Sequence, residues 1–486
     1  VTISAETNLD TPAGDQMPLN REALAAREGI PLAVPPVRIV HLGLGAFHRA
    51  HQAWYTAAAD DAAEWGIAAF TGRSATAAEQ LAPQDGLYTL IERSDAGDTA
   101  VVIPSLVEAV DGADLGRFVE LLSAPATALV TLTITEPGYR LTADGVPDRT
   151  DAAVLADIDW LSDALAGESL PARSELAAAG PRTSLGRLLL GLEARRRAGA
   201  GPLAVVPCDN IPDNGSFVQS GLTALAAAVN ADTASWLAQN VSFVSTSVDR
   251  ITPKTTEGDI RTAAELSGWA DRAPVVTEPF RDWVLQGDFP AGRPAWESAG
   301  ARFVEDIEPF ERRKLWLLNG AHSLLAYAGR LRGYETVAQA IADPVLRSWV
   351  TALWDEAVRH LPAEGLDLHE YRTALLRRFA NSRIEHRLAQ IGMEGVSKLR
   401  VRAVAIAVAE RAEGRDGAAS ARAIGAWIAL LIAGVELPDA HSAVVRAALE
   451  GGREGAPHRL LAVLDGDLAR DADFVASVES AVALFR

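Results

Sequence analysis

The sequence predicts an α/β fold in which a domain of alternating strands and helices precedes a mainly α-helical domain. Three observations carry this. Short apolar runs alternate with helical patterns through roughly the first 300 residues, the signature of a parallel sheet. A Gly43-Leu-Gly45 turn directly follows the first of those runs. Beyond a Pro- and Gly-bearing stretch at 287–294, helical patterns alone continue to the end.

Residues 1–36 read as irregular and end in Val34-Pro35-Pro36. Val37–Leu42 is an unbroken apolar run and reads as a buried strand. A helix is expected from about 50 to 61, then a strand over 66–71. Further strands are expected at 101–103, 128–135, 203–206 and 241–245. The helices of the second domain are expected at 309–330, 335–342, 344–360, 367–380, 382–391, 399–412, 417–434 and 440–450. The predicted domains are therefore 1–296, of nucleotide-binding type, and 297–486, α-helical.

Composition excludes several classes. The 486 residues carry a formal charge of −19, which argues against a nucleic-acid-binding surface and against contact with anionic membranes. Cys208 is the only cysteine, so neither an intramolecular disulfide nor a cysteine zinc cluster can form, and no HExxH pair is present. The most apolar segment, 424–435, is too short to span a bilayer. No secretory leader is evident, and a cytoplasmic, reducing setting is the expectation.

Strand, GxG turn and helix form the first half of a dinucleotide-binding fingerprint. Gly43 would permit the tight turn, and Gly45 would let backbone approach a pyrophosphate at a helix start. His48 stands where a third glycine is usual, so an ordinary strand–helix turn remains the competing reading. The second strand ends in Thr71-Gly72-Arg73-Ser74, without the acid that would bind a ribose 2′-hydroxyl. NAD and NADP both stay open. Polar groups also follow other strands: Thr135-Glu136, Cys208-Asp209-Asn210 and Val248-Asp249-Arg250. Each alone reads as a capped turn; together they gather at one sheet edge, where ligands bind.

Lys314-Leu-Trp-Leu-Leu-Asn319-Gly-Ala-His322 places one lysine among large apolar residues. On a regular α-helix, Lys314, Asn319 and His322 would fall within an arc of about 140°, and Lys314 and His322 would lie about 12 Å apart along the axis. Such a row can line an elongated small molecule, and a desolvated lysine can act as a base near neutral pH. A core segment with a snorkelling lysine is the competing reading. The row opens the second domain and is expected to face an interdomain cleft.

Longer segments resemble the polyol-specific long-chain dehydrogenase/reductase family, also called the mannitol dehydrogenase family. They are IVHLGLGAFHRAHQAWYT (39–56), QDGLYTL (84–90), TLTITEPGY (131–139), CDNIPDNG (208–215), SVDRITPKTT (247–256), EPFRDWV (278–284), AGRPAWESAG (291–300), KLWLLNGAHSLLAY (314–327) and RFANSRIEHRLAQIGMEGVSKLRVR (378–402). The resemblance implies a Rossmann-type NAD(P)-binding domain and a helical substrate domain. It also implies metal-independent, NAD(P)-dependent interconversion of a secondary alcohol and a ketone on an open-chain sugar derivative, with NAD the expected cofactor and NADP open. By resemblance, Lys314 is the general acid/base, Asn210 and Asn319 stabilise the developing oxyanion, and Asp249 and His322 are polar groups on the substrate side. Gly43, Gly45, Ala46 and Phe47 match the pyrophosphate turn, with Arg73, Thr135 and Glu136 also facing the cofactor. The sequence departs from the usual pattern at Pro137 and at Val396-Ser397.

Within the family, the segment 379–390 is similar to the fructuronate reductase (D-mannonate oxidoreductase) branch, which has a His-Arg pair and a later glutamine. His386, Arg387, Gln390 and Lys398 are the expected substrate-binding residues, since positive charge suits a carboxylate. Mannitol 2-dehydrogenase or another polyol dehydrogenase is the alternative. A regulator that binds cofactor without turnover should have lost the lysine or an asparagine, and this chain keeps all three. The expected partner is a small sugar acid or polyol, and the expected state a monomer or small homo-oligomer.

Overall fold

A computed structural model describes residues 3–4, 16–29 and 32–485. The chain divides into two compact units between Ile307 and Glu308.

The first unit is built on six parallel strands: β1 (Val37–Leu42), β2 (Gly66–Phe70), β3 (Leu106–Val110), β4 (Leu129–Leu132), β5 (Leu203–Pro207) and β6 (Val241–Phe243). Their spatial order is β6-β5-β4-β1-β2-β3, every neighbouring pair parallel. This is the doubly wound dinucleotide-binding order, with its switch point between β1 and β4. Strand side chains alternate between two cores. Val40, Leu42, Val130 and Val205 pack on the helices Leu115–Ser123, Ser184–Ala198 and Asn214–Val229. Ile39, Ile67, Leu129 and Val206 face Tyr55, Trp65, Trp283 and Trp296. Burial on both faces explains why these strands read as continuous apolar runs.

Several expectations are corrected. The predicted strand at 101–103 belongs to a separate antiparallel hairpin, Tyr88–Ser94 with Gly97–Ile103. The parallel position next to β2 is taken instead by β3. The run 241–245 breaks at Val244: β6 ends the main sheet, and β7 (Ser245–Asp249) starts a three-stranded sheet with β8 (Asp282–Gln286) and β9 (Arg302–Phe303). Residues 297–307, read from sequence with the helical domain, thus include a strand paired to β8. Residues 1–36 contain a helix, Arg21–Glu28, capped by the Asn20 side chain and ended by left-handed Gly29; residues 1–2, 5–15 and 30–31 lie outside the described residues. The expected helix at 50–61 is two pieces, Ala46–Ala50 and Gln52–Ala58.

The second unit is helical. Its central helix, Ala418–Ile432, is almost wholly buried, which accounts for the most apolar run in the sequence. Its first turn is capped by Glu356, which accepts from the Ala419 and Ser420 amides and the Ser420 hydroxyl. Two C-terminal helices, Ala456–Leu464 and Ala472–Ala483, go beyond the sequence reading. The expected helix 382–391 shrinks to Leu388–Ile391. Residues 382–384 form a turn, and 385–387 run along 335–337, where Val337 N–H donates to His386 O and Leu388 N–H to Glu335 O. Among the described residues no helix is long and apolar enough to cross a membrane.

The 309–330 and 399–412 patterns are not regular α-helices. Each is interrupted by a π-helical segment, Lys314–Asn319 and Arg400–Val404. Gly320 N–H reaches back five residues to Leu315 O, and Trp354 Nε1 donates to Leu317 O at 2.7 Å. The wider turn brings residues i and i+5 onto one face, which places Asn319 one turn on from Lys314 in place of the α-helical arc.

Gly43 makes the tightest demand in the first unit. Its φ is +111°, and a Cβ there would stand 2.5 Å from Thr133 O. Gly43→Ala is expected to destabilise the protein by about 3 kcal/mol, from backbone strain plus overpacking. The urea midpoint of unfolding measures this, and a change below about 1 kcal/mol would contradict the close approach.

Candidate active site

Four loops leave the C-terminal edge of the six-stranded sheet, and they carry most of the residues expected at the cofactor. Gly43 follows β1, and its amide and that of Leu44 both donate to Phe70 O of β2 at 2.9 Å. Gly45 is extended (φ −133°, ψ −175°) and precedes the helix Ala46–Ala50. A Cβ on Gly45 would meet only Gly43 O, at 3.5 Å, so the protein interior does not require this glycine. The space outside its backbone is what a closely approaching pyrophosphate needs. Ala46 and Phe47 are half-buried, and Phe47 stacks on His51 at 5.0 Å. Arg73 after β2 is exposed, and so are Thr135 and Glu136 after β4.

His48 replaces the third glycine by stacking. Its ring lies flat on that of His41, with centroids 3.4 Å apart and planes at 10°. Thr133 Oγ1 donates to Gly43 O at 2.8 Å, so it accepts from His41 Nε2 at 3.0 Å. Nδ1 then accepts from Thr131 Oγ1 at 2.8 Å. Burial lowers the His41 pKa to about 3, so the ring is a neutral imidazole with its proton on Nε2, which leaves Nδ1 to accept. Burial also holds His48 well below the ordinary range, with the nearby His41, Arg49 and His51 adding to the effect.

Asn210, exposed, follows β5 on a loop braced from below. Asp209 accepts from Tyr139 Oη at 2.5 Å and from Ile211 N–H at 3.0 Å. Buried Asn214 clamps Thr246 of β7 by two bonds, 2.8 and 3.1 Å. Asp249, buried, ends β7. Its neighbour Arg250 donates to Ala50 O at 2.5 Å and Glu278 O at 3.1 Å, and pairs with Glu92. The Asp249 turn and the helix after the glycine turn are therefore one braced piece.

In the second unit, Lys314 and Asn319 are half-buried at the two ends of the π segment. His322 is buried, and its Nε2 has no hydrogen-bond partner. The ring packs against Phe379 at 4.9 Å and edge-on against His386 at 4.8 Å. Burial holds its pKa well down, and the charges of His386, Arg378, Arg402 and Lys398 push the same way. Lys398 donates to Ile391 O at 3.0 Å; burial lowers its pKa, and Arg402 adds to that while Glu394 and Asp439 oppose it. Arg402 donates to Asn319 O at 3.1 Å and to Ser323 Oγ at 2.9 Å.

The structure thus brings His322, His386 and Lys398 together. Arg387 lies elsewhere in character: its side chain is 59% exposed and pairs with Glu385 at 2.5 Å. Gln390 is also exposed. Arg378 and Arg402 belong to the cluster and were not among the residues singled out from sequence. Their only signal was position, at the two ends of the 378–402 segment. Among the described residues no group of His, Cys, Asp or Glu could hold a metal ion.

Comparison with known proteins agrees with this architecture. Residues 37–298 match the family model for the mannitol dehydrogenase Rossmann domain, and residues 306–485 that for the mannitol dehydrogenase C-terminal domain. The chain is 37% identical over 374 residues to D-mannonate oxidoreductase of Escherichia coli K12, covering 74% of this chain and 73% of the relative. It is also 37% identical over 396 residues to a mannitol 2-dehydrogenase of Aspergillus fumigatus, covering 79% and 74%. Among solved structures, the Pseudomonas fluorescens mannitol 2-dehydrogenase ternary complex with NAD and D-mannitol superposes with a TM-score of 0.77 at 33% identity, covering 96% of each chain.

The buried imidazoles make stability pH-dependent. An unfolded histidine titrates near 6.5, whereas folded His41 titrates near 3. Below pH 6.5 the unfolded chain binds more protons, so stability is complete above that pH and is lost as pH falls. From pH 6.5 to 5.0, His41 alone should cost about 2 kcal/mol, with His48 and His322 adding in the same direction. Urea midpoints across this range test it; a flat profile in parent protein and in His41→Gln alike would show that these rings are not held neutral.

Proposed function

We propose that this chain, which belongs to the mannitol dehydrogenase family of oxidoreductases, reduces D-fructuronate to D-mannonate with NADH and runs the reverse oxidation with NAD. The observation that carries the substrate choice is the set of basic groups around His322: His386, Arg378, Arg402 and Lys398. Converging positive charge in a buried setting suits a substrate that ends in a carboxylate. A relative named D-mannonate oxidoreductase supports the same reading.

When bound, the nicotinamide supplies or accepts the hydride at the carbinol carbon. Lys314 Nζ gives a proton to the carbonyl oxygen as that oxygen gains charge, and takes it back in the oxidation. By resemblance to the family, the amides of Asn210 and Asn319 stabilise the charge that develops on that oxygen. For the oxidation Lys314 must be neutral when it takes the proton. Asp249 and His322 hold substrate hydroxyls, and His386 and Lys398, with Arg378 and Arg402, read the far end. Gly43, Gly45, Ala46 and Phe47 receive the pyrophosphate, while Arg73, Thr135 and Glu136 line the rest of the cofactor path. Arg73, where an acid would select NAD, leaves room for NADP at the ribose.

The second reading is mannitol 2-dehydrogenase, favoured by the equal identity to a relative of that name and by the ternary complex with D-mannitol. Initial rates with D-fructuronate and D-fructose, each with NADH and NADPH, separate the two. The expected outcome is turnover of fructuronate with NADH. Fructose turnover without any response to fructuronate would favour the mannitol reading.

Two variants test the roles. Lys314→Ala should lower kcat by about 10³-fold with NADH binding and melting temperature retained, as for loss of a general acid. Near-parent turnover would remove Lys314 from the chemistry. Gly45→Ala adds a methyl with no internal clash. It should keep the melting temperature while weakening NADH binding by about tenfold or more, equivalent to about 1.4 kcal/mol. Unchanged NADH affinity would show that the pyrophosphate does not approach Gly45.

A further inference from the structure

We propose that Arg402 is a positioning residue, which locks the widened turn Lys314–Asn319 through the Asn319 carbonyl and so sets where the Asn319 amide stands. The inference rests on the reading of Asn319 as an oxyanion donor.

Three observations carry it. First, Arg402 lies in one π-helical segment and bonds the last residue of the other, and the two segments pack on each other. Its Nη1 donates to Asn319 O and, one turn on, to Ser323 Oγ. π-Helical insertions need outside support for the register they displace. Second, Arg402 has no carboxylate partner among the described residues, and its buried Nε makes no hydrogen bond. Drawing a charge even partly out of water is costly, so a half-buried guanidinium without a carboxylate is not explained by stability.

Third, Arg195 shows what a structural arginine in the same protein does. It too has no carboxylate partner; Arg195 is buried and Arg402 half-buried, and desolvation lowers both pKa values to about 10. Yet Arg195 places Nε, Nη1 and Nη2 on five backbone carbonyls, of Gly201, Leu122, Ala124, Ala200 and Pro202, and so ties together two chain segments. Arg402 closes no loop. Its two bonds fall within one helix, at the residue whose side chain the chemistry needs and at the turn after it.

The test is a double-mutant cycle on the full-length protein with the ketouronate and NADH. Arg402→Met should lower kcat by about 30-fold while KM changes less than about threefold, since an interaction felt mainly in the transition state is lost. Arg402→Lys, which can still donate to the carbonyl, should recover part of the rate. In an Asn319→Ala background, Arg402→Met should have little further effect, because the two act as one unit. Melting temperature and NADH affinity serve as controls for a general loss of structure. Should Arg402→Met fail to fold, Ser323→Ala carries the same cycle, with a drop in kcat of about threefold that vanishes beside Asn319→Ala. A kcat within about twofold of the parent in Arg402→Met, or effects of the two substitutions that multiply in full, overturns the inference alone. A near-parent kcat in Asn319→Ala overturns the reading of Asn319, and the inference with it.

Discussion

The close approach of Gly43 to Thr133 is the constraint on which the first unit depends. At this point β1 ends, and three strands are tied to it. Gly43 and Leu44 donate to Phe70 O at the end of β2, Thr133 N–H donates to Leu42 O, and Thr133 Oγ1 donates to Gly43 O. The left-handed backbone at Gly43 is what allows the chain to turn here without a side chain striking Thr133. Everything expected to meet the cofactor hangs from the same edge. The doubly wound order opens its crevice between β1 and β4, the two strands that Gly43 and Thr133 join. The His41–His48 stack extends this knot below the turn. It fills with two flat rings the volume that a glycine would leave to close helix–strand packing.

In the second unit the corresponding constraint is the π segment at 314–319. Two side chains from other helices bond carbonyls of this segment: Trp354 that of Leu317 and Arg402 that of Asn319. The segment places Lys314 and Asn319 one turn apart and leaves His322 on the adjoining α-helical turn, among basic residues. His322 stays neutral there, because each further positive charge adds to the cost of protonating it. A neutral imidazole with an unpartnered Nε2 is suited to exchange a hydrogen bond with a hydroxyl.

The sequence was legible where local signals and global fold agree. Val37–Leu42 with the GxG turn fixed the first strand and the cofactor loop, and the apolar 417–434 run marked the central helix of the second unit. It was illegible where tertiary partners decide. Leu106–Val110 contains Glu108 and reads as neither an alternating nor a continuous strand, yet β2 recruits it as the edge of the sheet. Val241–Ser245 looks like one strand because Val244, where the chain changes sheets, is as apolar as its neighbours. Residues 385–387 look helical until their backbone is claimed by Glu335 and Val337. The π turns leave no mark, since Lys-Leu-Trp-Leu-Leu-Asn suits an α-helix equally well. Arg378 and Arg402 escaped notice for a similar reason: arginine recurs throughout this chain, and only their place beside His322 sets these two apart.

Burial also resolves an apparent conflict between the net charge and the ligand. A formal charge of −19 should repel a carboxylate, yet the groups gathered at His322 are basic. Distance and dielectric decide which matters. At physiological ionic strength exposed charges are screened beyond about 8 Å, so the acidic surface contributes little at a given point inside the protein. The half-buried guanidinium of Arg402 and ammonium of Lys398 are screened less. At an effective dielectric constant near 20, a unit charge at 4 Å is worth about 4 kcal/mol, against about 1 in bulk water. A few desolvated cations therefore outweigh a larger number of exposed carboxylates. The acidic exterior governs solubility and long-range encounter, and the basic interior governs what is held.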